Sequence, residues 1–302
     1  MKKHFVKISS VLLAIVLALG PVTSAPLSMT VRAADSDYFE RPDSERESGR
    51  TTTSIGSVTS SVYDHKSMKA GIKKYAADNS DVKGWLIVPN TNINKPITFS
   101  SRDNDYYIYR DIKGTNYTGI TYKNYVETAN YLDCRTVFGD TWRKSSRNTV
   151  IYGHNWTNLR EPHAIGANNN HIMFGQLPSY TNMEFAKQNP HIYFSTEKNE
   201  GIWRVFSVAF VELSTDFNYN QPNPTSEDYE ALIKELQNRS MFDFGVDVEK
   251  TDRILTLSTC TRQYSAGAQQ RFIVVARLLR DGESEKDSVS VSVNSDMKRP
   301  RF

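Results

Sequence analysis

The chain has 302 residues, of which 38% are hydrophobic and 24% are charged, and its formal net charge is +3. This composition is typical of a globular protein with enough apolar residues for one or two buried cores. The weak positive charge, and a sequence in which no dense Lys/Arg run is interleaved with aromatic residues, argue against a nucleic-acid-binding protein.

The first 34 residues have the pattern of an export signal. Three lysines precede an apolar run from Val11 to Leu19, and small residues follow up to Ala34. The run is short for a membrane span of about 20 residues, so the pattern favours a cleaved signal over an uncleaved membrane anchor. In either case we expect the rest of the chain outside the cytoplasm, secreted to the cell envelope or associated with the membrane at the cell surface.

Two polar segments flank the part of the chain that can build a core. Residues 35–63 consist mostly of Ser, Thr and charged residues and predict a flexible spacer. Residues 282–302 have a similar composition and predict a polar tail. Between them we find no internal repeat and no second linker, so residues 64–281 are expected to form one folded domain.

The domain begins with a predicted helix and continues as short strands. Residues 64–79 place Met68, Ile72 and Tyr75 at helical spacing, with Asp64 as the N-cap. Short apolar runs bounded by Gly, Pro and Asn then predict strands at 84–89, 95–100, 105–112, 119–124, 148–155, 191–195, 202–213, 253–260 and 271–279. The fold class is therefore mainly β with flanking helices, as a barrel or a sandwich rather than parallel β-α-β units.

Two further helices are predicted between the later strands. Residues 182–189 form a short one that ends before Pro190. Residues 225–240 form a longer one, which begins with a capping box and has one apolar face. We expect this long helix to pack on the sheet immediately before the strand that carries Cys260.

Cys260 can be a core thiol, half of a disulfide, a metal ligand or a nucleophile. It ends a strand, where the polar loop TRQYSAGAQQ begins, and this position favours exposure over burial. A disulfide with Cys134 is compatible with export. A metal site is disfavoured, because there is no C-x-x-C and His154, His163 and His171 lack a ligand spacing on a helix face.

Two other strand-end residues suit cysteine chemistry. Arg271 begins the strand after the Cys260 loop, so an antiparallel hairpin would bring the two side chains together. A guanidinium there could lower a thiol pKa or stabilise an oxyanion. His154 follows another apolar strand, and an imidazole can protonate the leaving amine of a thiolate reaction. Each residue alone is also compatible with solvated polar surface.

The motifs NTVIYGHN, LTLSTC and RFIVVARL resemble the His, Cys and Arg signatures of sortases, the cysteine transpeptidases of Gram-positive bacteria. The helix at 225–240, which precedes the strand that carries Cys260, is similar to that of class B sortases. The resemblance implies a closed β-barrel in which Cys260 attacks the threonine carbonyl of a C-terminal sorting signal, with His154 as general acid and then base. It implies that Arg271 binds the signal backbone and stabilises the oxyanion, and that no cofactor or metal is needed.

The resemblance also implies partners and further contacts. The partners would be surface proteins with a sorting signal, an amine of a peptidoglycan precursor or cross-bridge, and the membrane surface, without nucleic acid. Ser258 and Asn92 are predicted substrate contacts. The loop after Cys260 lacks the acidic residue that many class B members carry, and the segment 157–171 after His154 is longer than usual.

Two other functions remain open on the residues alone. One is a secreted cysteine hydrolase that uses the same three residues and releases its acyl group to water. The other is a non-catalytic surface-binding β-domain. The sequence does not distinguish among N-P-x-T-N, N-P-x-T-G and S-P-x-T-G as the sorting signal, or wall anchoring from pilus assembly.

Overall fold

The computed structural model of the protein describes residues 64–117, 127–155, 172–213, 217–261, 263–264 and 269–301. The export signal, the spacer and the strand predicted at 119–124 lie outside these ranges. Within them, no helix has the length and apolar character that a membrane crossing requires.

The domain opens with helix α1, His65–Asp78, close to the predicted bounds. The carboxylate of Asp64 accepts a hydrogen bond from the backbone N–H of Lys66, which satisfies one of the donors left open at a helix start. Met68 and Ile72 are buried on the inner face of the helix, as their spacing predicts. The helix therefore packs along the flank of the barrel.

Ten strands follow in the described residues, and most are short. They are β1 Val82–Ile87, β2 Asn94–Phe99, β3 Asn130–Leu132, β4 Asn148–Tyr152, β5 His191–Thr196, β6 Ile202–Glu212, β7 Phe242–Asp243, β8 Ile254–Thr261, β9 Gln270–Leu278 and β10 Ser292–Val293. Eight of them form a closed barrel in the order β1-β2-β3-β4-β8-β9-β6-β5, while β7 and β10 pair separately. The predicted fold class, a closed barrel with flanking helices, is confirmed.

The alternation of side chains along β8 separates two hydrophobic clusters. Leu255 and Leu257 join the large cluster to which most barrel strands contribute. Ile254 points to the other face and joins a second cluster. Ser258 and Cys260 share the face of Ile254, so the candidate nucleophile is not part of the large core.

Two helices interrupt the strands where the sequence predicts them: α2, Met183–Gln188, and α3, Ser226–Arg239. The hydroxyl of Thr225 caps α3 by accepting from the backbone N–H of Asp228. One apolar face of α3 lies in the second cluster, against β6, β8 and β9; its buried residues there are Tyr229, Leu232, Ile233 and Leu236. Burial of each such side chain contributes roughly 1.5–3 kcal/mol, so α3 is held firmly on the barrel.

The predicted strand at 105–112 is wrong. These residues form turns with a single bridge between Arg110 and Asn116. The reason is local: the carboxylate of Asp103 accepts from the backbone N–H of Asp105, and that of Asp111 accepts from two N–H groups further on. Such side-chain bonds compete with the hydrogen bonds of a β-ladder.

The predicted polar tail makes defined contacts with the barrel. Up to residue 301 it is described, and β10 within it pairs antiparallel with β7. The carboxylate of Glu283 accepts two hydrogen bonds from the guanidinium of the buried Arg277 of β9, and Asp287 forms an ion pair with Arg204 of β6. Val291 is buried in the large cluster. The tail therefore packs on the barrel.

Candidate active site

Cys260 and Arg271 are direct partners across two antiparallel strands. Cys260 lies one residue before the end of β8 and pairs with Arg271, the second residue of β9. Partners in an antiparallel pair project to the same face, so the thiol and the guanidinium are neighbours. Cys260 is half-buried, whereas Arg271 is only 8% exposed. The hairpin expected from the sequence is present.

His154 reaches the same place from the other side of β8. Strand β4 runs parallel to β8, with Tyr152 opposite Ser258. Two residues further along, His154 follows β4 and Cys260 lies in β8. The parallel register therefore places the imidazole beside the thiol at one end of the barrel.

Hydrogen bonds continue this alignment past the end of β4. The N–H of Gly153 donates to the Ser258 carbonyl at 3.2 Å, and the Thr259 hydroxyl donates to the Gly153 carbonyl at 2.7 Å. The side-chain amide of Asn155 donates to the Cys260 carbonyl at 3.2 Å. Three cross-strand bonds thus fix the backbone on which the imidazole and the thiol are mounted.

Gly153 is required by close packing. A Cβ at this position would lie 2.6 Å from the ring of Phe174 and 2.8 Å from the Asn130 amide oxygen, both closer than packed atoms approach. The N–H of Phe174 donates to the His154 carbonyl at 3.0 Å. The glycine therefore lets a neighbouring segment press against the backbone that carries the imidazole.

The imidazole of His154 is enclosed by the turn at 105–110. Its Nε2 lies 2.7 Å from the carbonyl oxygen of Ile108, and the ring of Tyr109 stacks on it with centroids 6.5 Å apart. Burial lowers the pKa of His154; the bond to the Ile108 carbonyl opposes this, and the positive charge of Arg271 lowers the pKa further. The neutral imidazole is therefore favoured at neutral pH.

Tyrosine side chains surround the three residues, and the sequence reasoning missed them. The hydroxyl of Tyr219 shares a hydrogen bond of 2.9 Å with Ser258, and Tyr131 packs against Tyr152 with centroids 5.5 Å apart. Burial raises the pKa of Tyr131 and of Tyr219. No periodic signal marks either residue, because Tyr131 lies in a three-residue strand and Tyr219 in a loop.

The two predicted substrate contacts have different positions. Ser258 is buried on the face of Cys260 and bonded to Tyr219. Asn92 lies in the turn between β1 and β2, where its N–H donates to the side chain of Gln176. This turn is at the same end of the barrel as His154, but β2 and β3 separate it from β4. The structure thus brings Ser258, but not Asn92, next to Cys260.

The structure also bears on the disulfide and the metal site. Cys134 and Cys260 are both free, so they do not form the disulfide considered above. Burial, reinforced by Asp133, raises the pKa of the Cys134 thiol, which disfavours its nucleophilic thiolate form. Across the described ranges, no three His, Cys, Asp or Glu residues are grouped to hold a metal ion. His163 and His171 lie outside those ranges.

The cluster has the parts of an acyl-transfer site. A thiol can attack a carbonyl, a neighbouring imidazole can carry the proton, and a fixed guanidinium can stabilise the oxyanion that forms. These groups meet at the ends of three neighbouring strands, β4, β8 and β9, and Ser258 and Tyr219 lie buried beside them.

Comparisons with known proteins point to one family. A family model described as a sortase domain matches residues 97–279. Sortase B of Listeria monocytogenes is 31% identical over 205 residues, which cover 67% of this chain and 71% of the relative. An X-ray structure of Clostridium perfringens sortase B has a TM-score of 0.55 and 25% identity, and the match covers 69% of this chain and 99% of that one. A Staphylococcus aureus sortase B–substrate complex has a TM-score of 0.56 and 23% identity, with coverage of 71% and 87%.

Proposed function

The chain belongs to the sortase family of transpeptidases, in its class B branch, and on that premise we propose which substrates it joins. It cleaves a C-terminal sorting signal of the N-P-x-T-N, N-P-x-T-G or S-P-x-T-G type after the threonine. It then transfers the acyl group to an amine of a cell-wall peptide. The export-type N-terminus supports action outside the cytoplasm at the membrane surface, where both substrates occur.

In the first step neutral His154 takes the proton of the Cys260 thiol, and the resulting thiolate attacks the carbonyl carbon of the signal's threonine. A C–S bond forms, and the carbonyl oxygen becomes an oxyanion that the Arg271 guanidinium stabilises. The oxyanion then collapses and the peptide C–N bond breaks. Protonated His154 gives its proton to the departing amine, and the acyl group stays on Cys260 as a thioester.

In the second step the incoming amine attacks the thioester carbonyl. Neutral His154 takes the proton that the amine loses, and burial favours this neutral form by lowering the pKa of the imidazole. The second oxyanion collapses, the C–S bond breaks, and the departing thiolate regains its proton from His154. The product is an amide that joins the exported protein to the wall peptide.

The observation that carries this proposal is the strand register around Cys260. Arg271 is its direct partner on β9, and the parallel register of β4 and β8 brings His154 to its other side. The three groups needed for thiolate attack, proton transfer and oxyanion stabilisation therefore converge from three strands. A non-catalytic surface domain does not require this convergence.

Product analysis tests the proposal. The purified protein is incubated with labelled peptides that carry each of the three signals, with and without triglycine or diaminopimelate as the amine. We expect cleavage after threonine and an amine adduct. Release of the free acid alone with every amine would instead indicate a hydrolase.

The two free cysteines provide matched variants for this experiment. Cys260→Ala should abolish turnover without a loss of fold, because the half-buried thiol at a strand end contributes little packing. Cys134→Ala should keep full activity, since this thiol lies outside the cluster. Activity that survives in Cys260→Ala, or that is lost in Cys134→Ala, would contradict the assignment of the nucleophile.

A further inference from the structure

The contact between His154 and Ile108 determines which ring nitrogen carries a proton. Nε2 lies 2.7 Å from the Ile108 carbonyl oxygen. A carbonyl oxygen can only accept, so Nε2 must be the donor. In the neutral ring the proton is then on Nε2, and the lone pair that can take a proton is on Nδ1.

The carbonyl that accepts this bond belongs to a short, tightly folded turn. The N–H of Ile108 donates to the Asp105 carbonyl at 3.1 Å, and the N–H of Arg110 donates to the Tyr107 carbonyl at 3.4 Å. Ile108 is buried, and the next residue, Tyr109, stacks on the imidazole. The turn therefore contacts His154 through both a backbone oxygen and an aromatic ring.

A buried tyrosine ties this turn to the start of the barrel. The hydroxyl of Tyr107, a residue only 2% exposed, donates to the carboxylate of Asp81 at 2.8 Å and accepts from the side-chain amide of Asn79 at 3.0 Å. The same amide also donates to the carbonyl of Ile112 at 2.9 Å, on the far side of the turn. Burial raises the pKa of Tyr107, so its hydroxyl stays protonated and remains a donor.

We propose that Tyr107, held by Asn79 and Asp81, is a positioning residue for His154, and that it acts through the Ile108 carbonyl. This clamp, formed by Tyr107, Asn79 and Asp81, keeps the imidazole in the Nε2–H form, so that proton exchange with the substrate takes place at Nδ1. The inference rests on the proposed function. The Ile108 carbonyl thereby fills the place of the third, orienting group that many nucleophile–histidine sites supply as a carboxylate.

A carbonyl in this place has a chemical consequence. It orients the ring as a carboxylate does, yet it carries no full charge to stabilise the imidazolium and has no pKa of its own. Charged and titratable groups near the ring in the described residues include Arg271 from β9, Cys260 from β8 and Tyr109 from the turn. The loop after Cys260 contains no acidic residue that could take over the orienting role.

The first test replaces only the hydroxyl of the clamp. Tyr107→Phe keeps the buried ring and removes its bonds to Asn79 and Asp81. We expect kcat to fall by roughly 10- to 100-fold with KM within about twofold. The limb of the pH profile that reports His154 should move to lower pH, because the weakened bond to Ile108 no longer supports the protonated ring.

Tyr117→Phe is the matched control. It removes a hydroxyl that donates to a carboxylate, Asp111, at 3.0 Å in the same segment, and it leaves the bonds of Tyr107 to Asn79 and Asp81 in place. The control should keep both kcat and the pH profile of the wild type. An equal change in the two variants would show a general effect on the segment and would overturn the proposal.

The second test needs no turnover. In the full chain labelled with 15N-histidine, the ring shifts of His154, assigned against His154→Gln, report which nitrogen carries the proton. We expect Nε2–H in the wild type and loss of that preference in Tyr107→Phe. An Nδ1–H ring in the wild type would overturn the inference, even if Tyr107→Phe failed to fold. An Nε2–H ring in a protein that forms no amine adduct would support the clamp and contradict only the proposed transpeptidation.

Discussion

The guanidinium of Arg271 is nearly buried beside Cys260 and cannot lose its proton. One of its terminal nitrogens donates to the carbonyl of Gln270 at 2.8 Å, which holds the side chain in place. A guanidinium held in this position can stabilise an oxyanion formed on the carbonyl that Cys260 attacks.

This geometry predicts that Arg271→Lys is a poor enzyme. An ammonium keeps the charge but cannot present the planar fork of N–H donors, so we expect kcat/KM to fall by roughly 10²- to 10³-fold. Arg253→Lys is the control, because that guanidinium binds backbone carbonyls at the opposite end of β8. Measured activity of Arg271→Lys within twofold of the wild type, with an unchanged Tm, would remove Arg271 from the mechanism.

The placement of the three proposed catalytic residues at strand ends could be predicted from the sequence, whereas their surroundings could not. Cys260, His154 and Arg271 each end or begin an apolar strand, and strand ends can be read from alternation and turn residues. The Ile108 carbonyl carries no side-chain signal at all. Tyr219 approaches Ser258 only because the loop before α3 returns to β8, and such a long-range contact follows from tertiary packing.

Among the elements, predictions succeeded where the apolar pattern agreed with the local hydrogen bonding. β8 and β9 combine alternation with a partner strand, and α3 combines a cap with one apolar face. The segment 105–112 has strand-like composition, but the carboxylate of Asp103 before it accepts from the Asp105 N–H, and that of Asp111 near its end accepts from the Lys113 N–H, which favours turns. β3 has only three residues, too few for a period of two to be recognised.

The ion pair between β9 and the tail shows how one element depends on another. Arg277 is 2% exposed, and Glu283 binds it through two bonds of 2.7 Å. The bonds from the Arg277 guanidinium, helped by the Arg280 backbone N–H and the charge of Arg204, lower the pKa of Glu283 from its ordinary 4.5 to about 2. Because the folded pKa lies below the unfolded one, this pair stabilises the fold fully above about pH 4.5, and the contribution is lost as pH falls toward 2.

We therefore expect Glu283→Gln to destabilise the protein at pH 7 by about 3–5 kcal/mol, because the buried Arg277 loses its counter-charge. The deficit relative to the wild type should shrink between pH 4.5 and pH 2, where the wild type loses the same charge. Urea unfolding across this range measures both effects. The exposed Glu230 on α3 provides the control, since Glu230→Gln should leave the curve unchanged. A constant deficit at all pH values would contradict the role of the charge.

At the level of the whole molecule, the two ends of the described chain contact the barrel at different places. Close to one end, Asn79 and Asp81, between α1 and β1, hold the turn over His154. At the other end, the segment from Glu283 to Val293 packs against β6, β7 and β9. The barrel supplies the register of the reactive residues, and these flanking segments complete its surface.

The tail's contacts predict that deleting residues 282–302 destabilises the whole domain rather than trimming a spacer. The deletion removes the carboxylates bound to Arg204 and Arg277, the β10 partner of β7, and the buried Val291. We expect the free energy of unfolding at pH 7 to fall by at least about 3 kcal/mol, since two largely buried guanidinium groups lose their partners. A variant that lacks only residues 299–302 keeps all of these contacts, so its urea midpoint of unfolding should equal that of the wild type. If both deletion variants had the wild-type urea midpoint, the tail would not contribute to stability.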